Sequence, residues 1–302
     1  MNHLFDIVRS LRPHQWAKNI LLFSGLFFSL SIFNFPLLVK TVIGFISFVM
    51  ASSSIYLLND LMDYRKDRLH PVKKHRPIAA GKISKTEALL ISVLLFALSV
   101  ILGWYYINYF FIIIIITYCV TNITYTLFLK RIMIVDVIIV SVGFLLRIVA
   151  GNVVIEIKPS MWIVLCTFLL AMIFSLGKRR IELGQLLDHP EHHRKTLGEY
   201  KLPFIDNLLN IVIAAAIVTY ALYTMSEETV KRFNTEWLIN TTPVVVYALF
   251  RYLYLIQHKN RGDDPTILLF TDKHLVISGI VWIILLIAII YIKSELNYKI
   301  IF

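Results

Sequence analysis

The chain has 302 residues, of which 58% are hydrophobic and only 16% charged, with a mean hydropathy of +0.73. A soluble fold of this size leaves about a quarter of its chain surface in water and cannot hide so much apolar side chain in one core. Soluble, disordered and disulfide-scaffold classes are therefore excluded, and lipid is the solvent for most of the chain. The formal charge of +11 comes from 30 Lys and Arg against 19 Asp and Glu. In a membrane protein this reads as cationic loops facing the cytoplasm and anionic headgroups, with no nucleic-acid partner.

In chain order, Met1–Lys18 is polar and basic and lacks an apolar core ahead of a small-residue cleavage site, so no cleavable signal peptide is expected. Nine segments are apolar and long enough to span: Asn19–Phe33, Pro36–Leu58, Ala88–Ile107, Tyr109–Leu129, Ile132–Ala150, Met161–Leu176, Leu208–Met225, Leu238–Ile256 and Leu275–Ile292. The expected fold is all-α, a polytopic bundle of nine transmembrane helices forming one domain over 1–302. With the N-terminus inside, 23 Lys and Arg fall in inner loops and six outside, with Arg147 in a span. This bias predicts N-terminus in, C-terminus out, a multi-pass protein of the cell (inner) membrane. Cys119 and Cys166 lie in apolar stretches without partners at metal-ligand spacing and read as packing or lipid-facing residues. The two long connections, 59–87 and 177–207, are both cytoplasmic and rich in ionisable residues, so the active site is expected there. They follow spans two and six, a weak pseudo-symmetry of four-helix units.

The first long connection opens with Asn59-Asp60-Leu61-Met62-Asp63-Tyr64-Arg65-Lys66-Asp67. Asn59, Asp63 and Asp67 recur every four residues and stack on one helix face, with Asp60 alongside. Two readings stand. Asn59, Asp60, Asp63 and Asp67 hold a hard divalent cation, Mg²⁺ bridging to substrate phosphates, or they form a solvated helix end balanced by Arg65, Lys66 and Arg68. Acids at a helix C-terminus oppose the dipole, which favours the cation. His70 to Gly81 follows, and its two prolines break the helix so that the loop can fold back over the acidic face. Lys73, Lys74 and Arg76 there offer phosphate contacts; a plain positive-inside loop is the alternative.

The pattern NDxxDxxxD, the following HPxKxxRPIAxG and nine spans with cytoplasmic acidic loops resemble the UbiA superfamily of intramembrane prenyltransferases over essentially the whole chain. The resemblance implies that the acidic motif binds Mg²⁺, with Mn²⁺ as the alternative ion, together with a diphosphate. Typical members carry a second acidic motif, DxxxD, after span six. This chain instead has Gly177-Lys178-Arg179-Arg180-Ile181-Glu182-Leu183, one carboxylate and three cations. One acidic and one basic motif suit two anionic substrates better than a diphosphate and a neutral acceptor. Arg12 to Asn19 (RPHQWAKN), Asp136 to Gly151 and the GKRRIEL segment resemble one subgroup, the polyprenyl-phosphate phosphoribosyltransferases. That implies transfer of 5-phosphoribose from phosphoribosyl diphosphate to a polyprenyl phosphate, with release of diphosphate. Under this resemblance Asp60, Asp63 and Asp67 are catalytic, while Lys18, Asn59, Lys73, Arg76, Lys130, Arg147, Lys178, Arg179 and Glu182 contact substrate. Lys178, Arg179 and Arg180 would gather the lipid phosphate or the ribose 5-phosphate. The rival reading is a UbiA-type enzyme moving a prenyl group to an aromatic or other small acceptor, marked by the second acidic motif that is absent here. A transporter would call for more polar or Gly/Pro-broken spans.

Arg147 stands inside span five, where an arginine costs at least ~2.5 kcal/mol. It lies about 16 Å of helix from Asp136, too far for a simple pair. Pairing within the bundle and a phosphate or cavity role are both open. Lys130 follows span four, where many superfamily members have YxxxK; Tyr125 stands five positions before it and reads as an interfacial residue. Asn122 suits either a cavity or an interhelical hydrogen bond. His189, His192 and His193 read as loop histidines. Neither GxxxxGK[ST] nor GxGxxG is present.

Overall fold

The computed structural model describes residues 3–69, 72–188, 201–258 and 265–293, and every regular element among them is helical. The chain divides into two compact units, Met1–Pro159 and Ser160–Phe302. The first holds α1 (His3–Ser10), α2 (Pro13–Trp16), a 3-10 segment Ala17–Phe23, α3 (Ser24–Phe28), α4 (Phe35–Leu69), α5 (Lys85–Tyr106), α6 (Tyr109–Leu127) and α7 (Val135–Val154). The second holds α8 (Met161–Asp188), α9 (Leu202–Met225), α10 (Glu227–Phe233), a 3-10 segment Trp237–Thr241, α11 (Thr242–His258), α12 (Pro265–Thr271) and α13 (Lys273–Ile287). Eight helices among the described residues are long and apolar enough to cross a membrane, and they fall four to each unit: α4 to α7, then α8, α9, α11 with its 3-10 lead, and α13.

Three expected spans change most, while α9 begins six residues earlier than expected, at Leu202. Asn19–Phe33 is not one helix; the tighter 3-10 turn runs to Phe23, α3 ends at Phe28, and Leu30 adopts φ 59°. A 3-10 turn rises about 2 Å per residue, so this stretch gains length without a full α-helix. Span two does not stop at Leu58: α4 runs 35 residues to Leu69, carrying the whole acidic motif on helix. Arg68 and Lys66 in its last turn complement the dipole, and Pro71 disfavours helical geometry at the residue before it. Span six does not stop at Leu176: α8 continues to Asp188, because Lys, Arg, Glu, Leu and Gln are good helix formers. The GKRRIEL segment is therefore helical. His189, His192 and His193 lie outside the described residues, as do His70 and Pro71 of the first long connection.

The core of the first unit gathers Leu22 and Leu26, Phe48 and Ile55, Phe111 and Ile115, Tyr118, Ala150 and Val154. Small hydroxyl residues bring α4 and α5 together: Ser47 Oγ donates to the Ser99 carbonyl at 2.9 Å, and the Ser54 and Ser92 hydroxyls lie 3.0 Å apart. Trp104, Tyr105, Tyr106, Tyr109 and Phe110 are all exposed around the α5–α6 turn, an aromatic belt suited to a membrane–water boundary. One close approach is backbone on backbone. A Cβ on Gly151 of α7 would stand 2.0 Å from the Leu22 carbonyl oxygen. Gly151→Ala should therefore lower the thermal unfolding midpoint in detergent by the equivalent of ~1–3 kcal/mol or more. Gly279→Ala, which meets nothing within 4 Å, is the matched control and should leave it unchanged. Equal midpoints for the two variants would contradict this packing.

Candidate functional site

The acidic motif occupies the last turns of α4, and its Asn59, Asp60, Asp63 and Asp67 side chains are each held by a group from elsewhere in the first unit. Asp60 accepts hydrogen bonds from Arg12 and, at 2.9 Å, from Arg76 Nη1. The same Arg76 nitrogen donates to Asp67 Oδ2 at 2.7 Å. Lys130 Nζ straddles both oxygens of Asp63, at 3.0 and 2.8 Å. Asn59 Oδ1 accepts from Thr126 Oγ1 of α6 at 2.8 Å. Asp60 and Asp67 are only 3% and 4% exposed, so this is not a solvated helix end.

Each cation arrives by a different local device. Arg12 caps α2 with a left-handed backbone, φ 55° and ψ 63°, a conformation that costs a non-glycine residue on the order of 1 kcal/mol. It is held there because its guanidinium reaches Asp60 and lies 5.2 Å from the Tyr56 ring centroid. Trp16 pins the same segment, its indole N–H donating to Ser53 Oγ at 3.1 Å. Arg76 sits on the return loop. That loop folds under Arg68, whose Nε donates to the Ala79 carbonyl at 3.0 Å, and turns at Gly81 with φ 74°, where glycine has no steric penalty. Ile78 and Ile83 anchor it in a small cluster with Leu57 and Ala88. Lys130 stands on the 3-10 turn Leu129–Arg131 between α6 and α7.

Three carboxylates thus face three cations, Arg12, Arg76 and Lys130. Among the described residues no three His, Cys, Asp or Glu converge on one point as a metal cage. Mg²⁺ does not need such a cage: it binds through one or two carboxylates and completes its shell with waters and phosphate oxygens. The donors on α4 are all hard oxygens, and the adjacent guanidinium and ammonium groups are the kind that pair with phosphate. The residues fit a divalent cation bound jointly with a diphosphate.

Lys73, in the short 3-10 turn Lys73–His75, is half-buried. Lys18 Nζ lies 5.8 Å from the Phe144 ring centroid. Arg147 is buried, at 4% exposure, and its nitrogens are engaged within the bundle. Nε donates to Asn19 Oδ1 at 2.7 Å, Nη1 to the Gly143 carbonyl at 2.6 Å and Nη2 to the Tyr118 hydroxyl at 3.0 Å. Asn19 in turn donates to Ser52 Oγ at 3.2 Å, so Arg147 ties the 3-10 segment to α6, α7 and α4. Asn122 donates to the Tyr118 carbonyl of its own helix at 2.8 Å. Sequence reasoning missed Arg12, Thr126 and Asn19 as members of this network. The RPHQWAKN motif marked two of them, but nothing in the spacing connects residue 12 to residue 60.

In the second unit, the basic motif lies on α8. Lys178 is exposed, whereas Arg179 is buried and pairs with Glu182 one turn on. Arg180 is committed to its own unit: Nε donates to Asp206 Oδ1 at 2.5 Å, and the guanidinium also reaches the Ile256 and Gln257 carbonyls. It locks α8 to α9 and α11. A Cβ on Gly177 would meet the Tyr252 hydroxyl at 2.3 Å, so a larger residue there would have to displace the buried Tyr252 of the neighbouring α11. Beyond it, Arg251 donates to Asp272 at 2.8 Å, and Asp272 caps α13 through the N–H groups of His274 and Leu275. The Arg251 guanidinium holds the Asp272 carboxyl below the usual carboxylate range.

Long apolar helices and a buried acidic helix end matched by arginine and lysine define an integral membrane protein with a buried, charge-paired polar site. The UbiA prenyltransferase family model matches residues 20–274, and the chain belongs to that family. It is 30% identical to the decaprenyl-phosphate phosphoribosyltransferase of Mycolicibacterium smegmatis, over 96% of this chain and 94% of that one. It is 29% identical to the protein of the same name from Corynebacterium glutamicum, over 95% and 87%. The fold is similar to that of a UbiA homolog from Archaeoglobus fulgidus bound to DMAPP and Mg²⁺, with a TM-score of 0.70 and 21% identity over 94% of this chain and 99% of that one.

Proposed function

We propose that this protein is a divalent-metal-dependent phosphoribosyltransferase that moves 5-phosphoribose from phosphoribosyl diphosphate to a polyprenyl phosphate and releases diphosphate. The observation that carries the reading is the charge pattern. An acidic helix end lined by Arg12, Arg76 and Lys130 stands in one unit, and a basic helical motif stands where the family's second acidic motif would be. The curated relatives of that name, matched nearly end to end, support it.

In the reaction, an oxygen of the lipid phosphate forms a bond to ribose C1 as the bond from C1 to the diphosphate oxygen breaks. Asp60, Asp63, Asp67 and Asn59 would hold the cation, Mg²⁺ or Mn²⁺; when bound, it neutralises charge building on the leaving diphosphate. Arg12, Arg76 and Lys130, paired with the motif's carboxylates, would turn to phosphate oxygens as the cation takes over those carboxylates, and Lys73 on the return loop would add a further phosphate contact. Arg147 holds Asn19 and with it the adjacent Lys18. Lys178 and Arg179 bind the second anion, with Glu182 orienting Arg179. The acceptor phosphate is already largely a dianion near neutral pH, its second pKa being about 6, so no general base is required. The chain is oriented with its N-terminus and acidic motif in the cytoplasm and its C-terminus outside, in the cell (inner) membrane, with Ala17–Phe28 as a short, broken first crossing of nine. The bias of 23 inner against six outer Lys and Arg supports this.

The deciding assay supplies purified protein with labelled phosphoribosyl diphosphate, Mg²⁺ and polyprenyl phosphate, and in parallel 4-hydroxybenzoate with prenyl diphosphate. Label should enter the lipid fraction in the first mixture and no prenylated product should form in the second. The opposite outcome replaces this reading with the ordinary prenyltransferase one.

A further inference from the structure

The N-terminal helix α1 presents two unlike faces. Its inner face is fixed to the first unit: Ile7 packs with Leu11 on the cluster of Leu57, Ile78, Ile83 and Ala88. Asp6 and Ser10 are buried, and Lys82 Nζ reaches Asp6 at 3.2 Å. His3 Nε2 meets Glu87 at 2.6 Å. Its other face carries Leu4, Phe5 and Val8, which are 70%, 58% and 42% exposed. Three apolar side chains turned outward from a docked, eight-residue helix are not explained by packing within the unit.

The helix lies at a particular depth. It meets α4 around Leu57 and Leu61, where the apolar run gives way to Asn59 and Asp60. It meets α5 at Glu87 and Ala88, where the polar lead gives way to an apolar span. Both long helices change solvent at that level. Cations crowd the same level: Arg9 is exposed, and Lys85, Arg65 and Arg68 surround the Tyr64 ring at 3.9, 5.8 and 5.8 Å. Apolar side chains flanked by Lys and Arg are the signature of a helix lying in the headgroup region of an anionic leaflet.

We propose that α1 is an in-plane membrane anchor, with Leu4, Phe5 and Val8 entering the acyl edge of the leaflet on the acidic-motif side and anionic headgroups meeting the cations beside it. The anchor has a consequence for the site. Only Leu11 separates α1 from Arg12, whose strained backbone and guanidinium contact with Asp60 need a fixed arm. The bilayer thereby sets the height of that arm.

The test uses the full chain with Cys119→Ala and Cys166→Ala, spin-labelled singly through Phe5→Cys, Val8→Cys or Arg9→Cys. The protein is placed in nanodiscs of phosphatidylethanolamine and phosphatidylglycerol. Labels at 5 and 8 should collide with oxygen and be shielded from a water-soluble nickel chelate, giving an oxygen-to-nickel ratio several-fold above that at 9. Free access of the nickel chelate at 5 and 8 overturns the proposal. So does shielding from both reagents with dipolar broadening, which marks a second copy seated on this face. Should the cysteine-free chain fail to fold, Phe5→Trp in the unaltered chain should gain fluorescence that brominated lipids quench, and unquenched emission refutes the anchor. Neither readout uses turnover, so failure of the transferase reading leaves this test intact.

Discussion

Asp63→Asn should abolish most transfer activity while leaving a folded protein, with a loss of about 10²–10³ in kcat, the size typical of removing one preorganised electrostatic group. Asp63 is the informative position because it pairs with Lys130 and its carboxylate is partly exposed, at 27% of its side chain. Asp60→Asn and Asp67→Asn should remove at least as much activity. They also disturb a buried array in which Arg76 bridges two carboxylates and Arg12 reaches one, and breaking such a pair costs ~3–5 kcal/mol. Those two variants should therefore show lower thermal midpoints, and Asp63→Asn should not. EDTA should silence the parent enzyme and Mg²⁺ or Mn²⁺ should restore it, whereas added metal should not rescue the Asp63 variant. Full turnover in EDTA would remove the metal from the mechanism and leave the acidic motif as an ion-pair scaffold for Arg12, Arg76 and Lys130.

What the sequence made legible follows from which forces are local. The face shared by Asn59, Asp63 and Asp67 is a matter of helical period, and the return of Arg76 follows from two prolines that forbid helix. Both could be read without coordinates. The pairing of Arg12 with Asp60 spans 48 residues and depends on a left-handed turn at a non-glycine position, which no propensity favours. Thr126 as the partner of Asn59 is equally non-local. The broken first segment was not readable because its apolar composition is that of a helix. What selects the 3-10 turn is its contact with Gly151 and the hold of Arg147 on Asn19. The extension of α8 is hidden for the opposite reason: a charged stretch after an apolar span reads as a connection, although its residues favour helix. On this helix Lys178 stands four residues from Glu182, but Arg179, at three, is the residue that pairs with it in its place.

That replacement sharpens the test separating phosphoribosyl transfer from prenyl transfer. Consecutive residues on a helix point about 100° apart, so Lys178, Arg179 and Arg180 cannot share one phosphate, and the structure distributes them among different tasks. Arg180 is held by Asp206 and two carbonyls of α11. Arg180→Ala should lower the thermal midpoint, with little change in KM for the protein that survives, and Arg180→Lys should recover only part of the stability because an ammonium cannot reproduce the planar fork. Lys178, exposed, and Arg179, oriented by Glu182, are the two that remain for substrate. A hydrogen bond to a charged group contributes ~1.5–3 kcal/mol, so Lys178→Ala and Arg179→Ala should each lower kcat/KM roughly 10- to 150-fold. The loss should appear mainly as a raised KM for phosphoribosyl diphosphate or for polyprenyl phosphate; the thermal midpoint of the exposed Lys178 variant should stay near that of the parent, while Arg179→Ala, which opens a buried pair, should also lower it. Glu182→Gln should copy Arg179→Ala in part, since it frees that guanidinium from its orienting partner. A prenyltransferase acting on a neutral acceptor has no second anion for these cations to bind. Parental kinetics in both alanine variants, at low concentrations of both anionic substrates and with insertion intact, would reduce the basic motif to a topological anchor and return the choice to the prenyl-transfer reading.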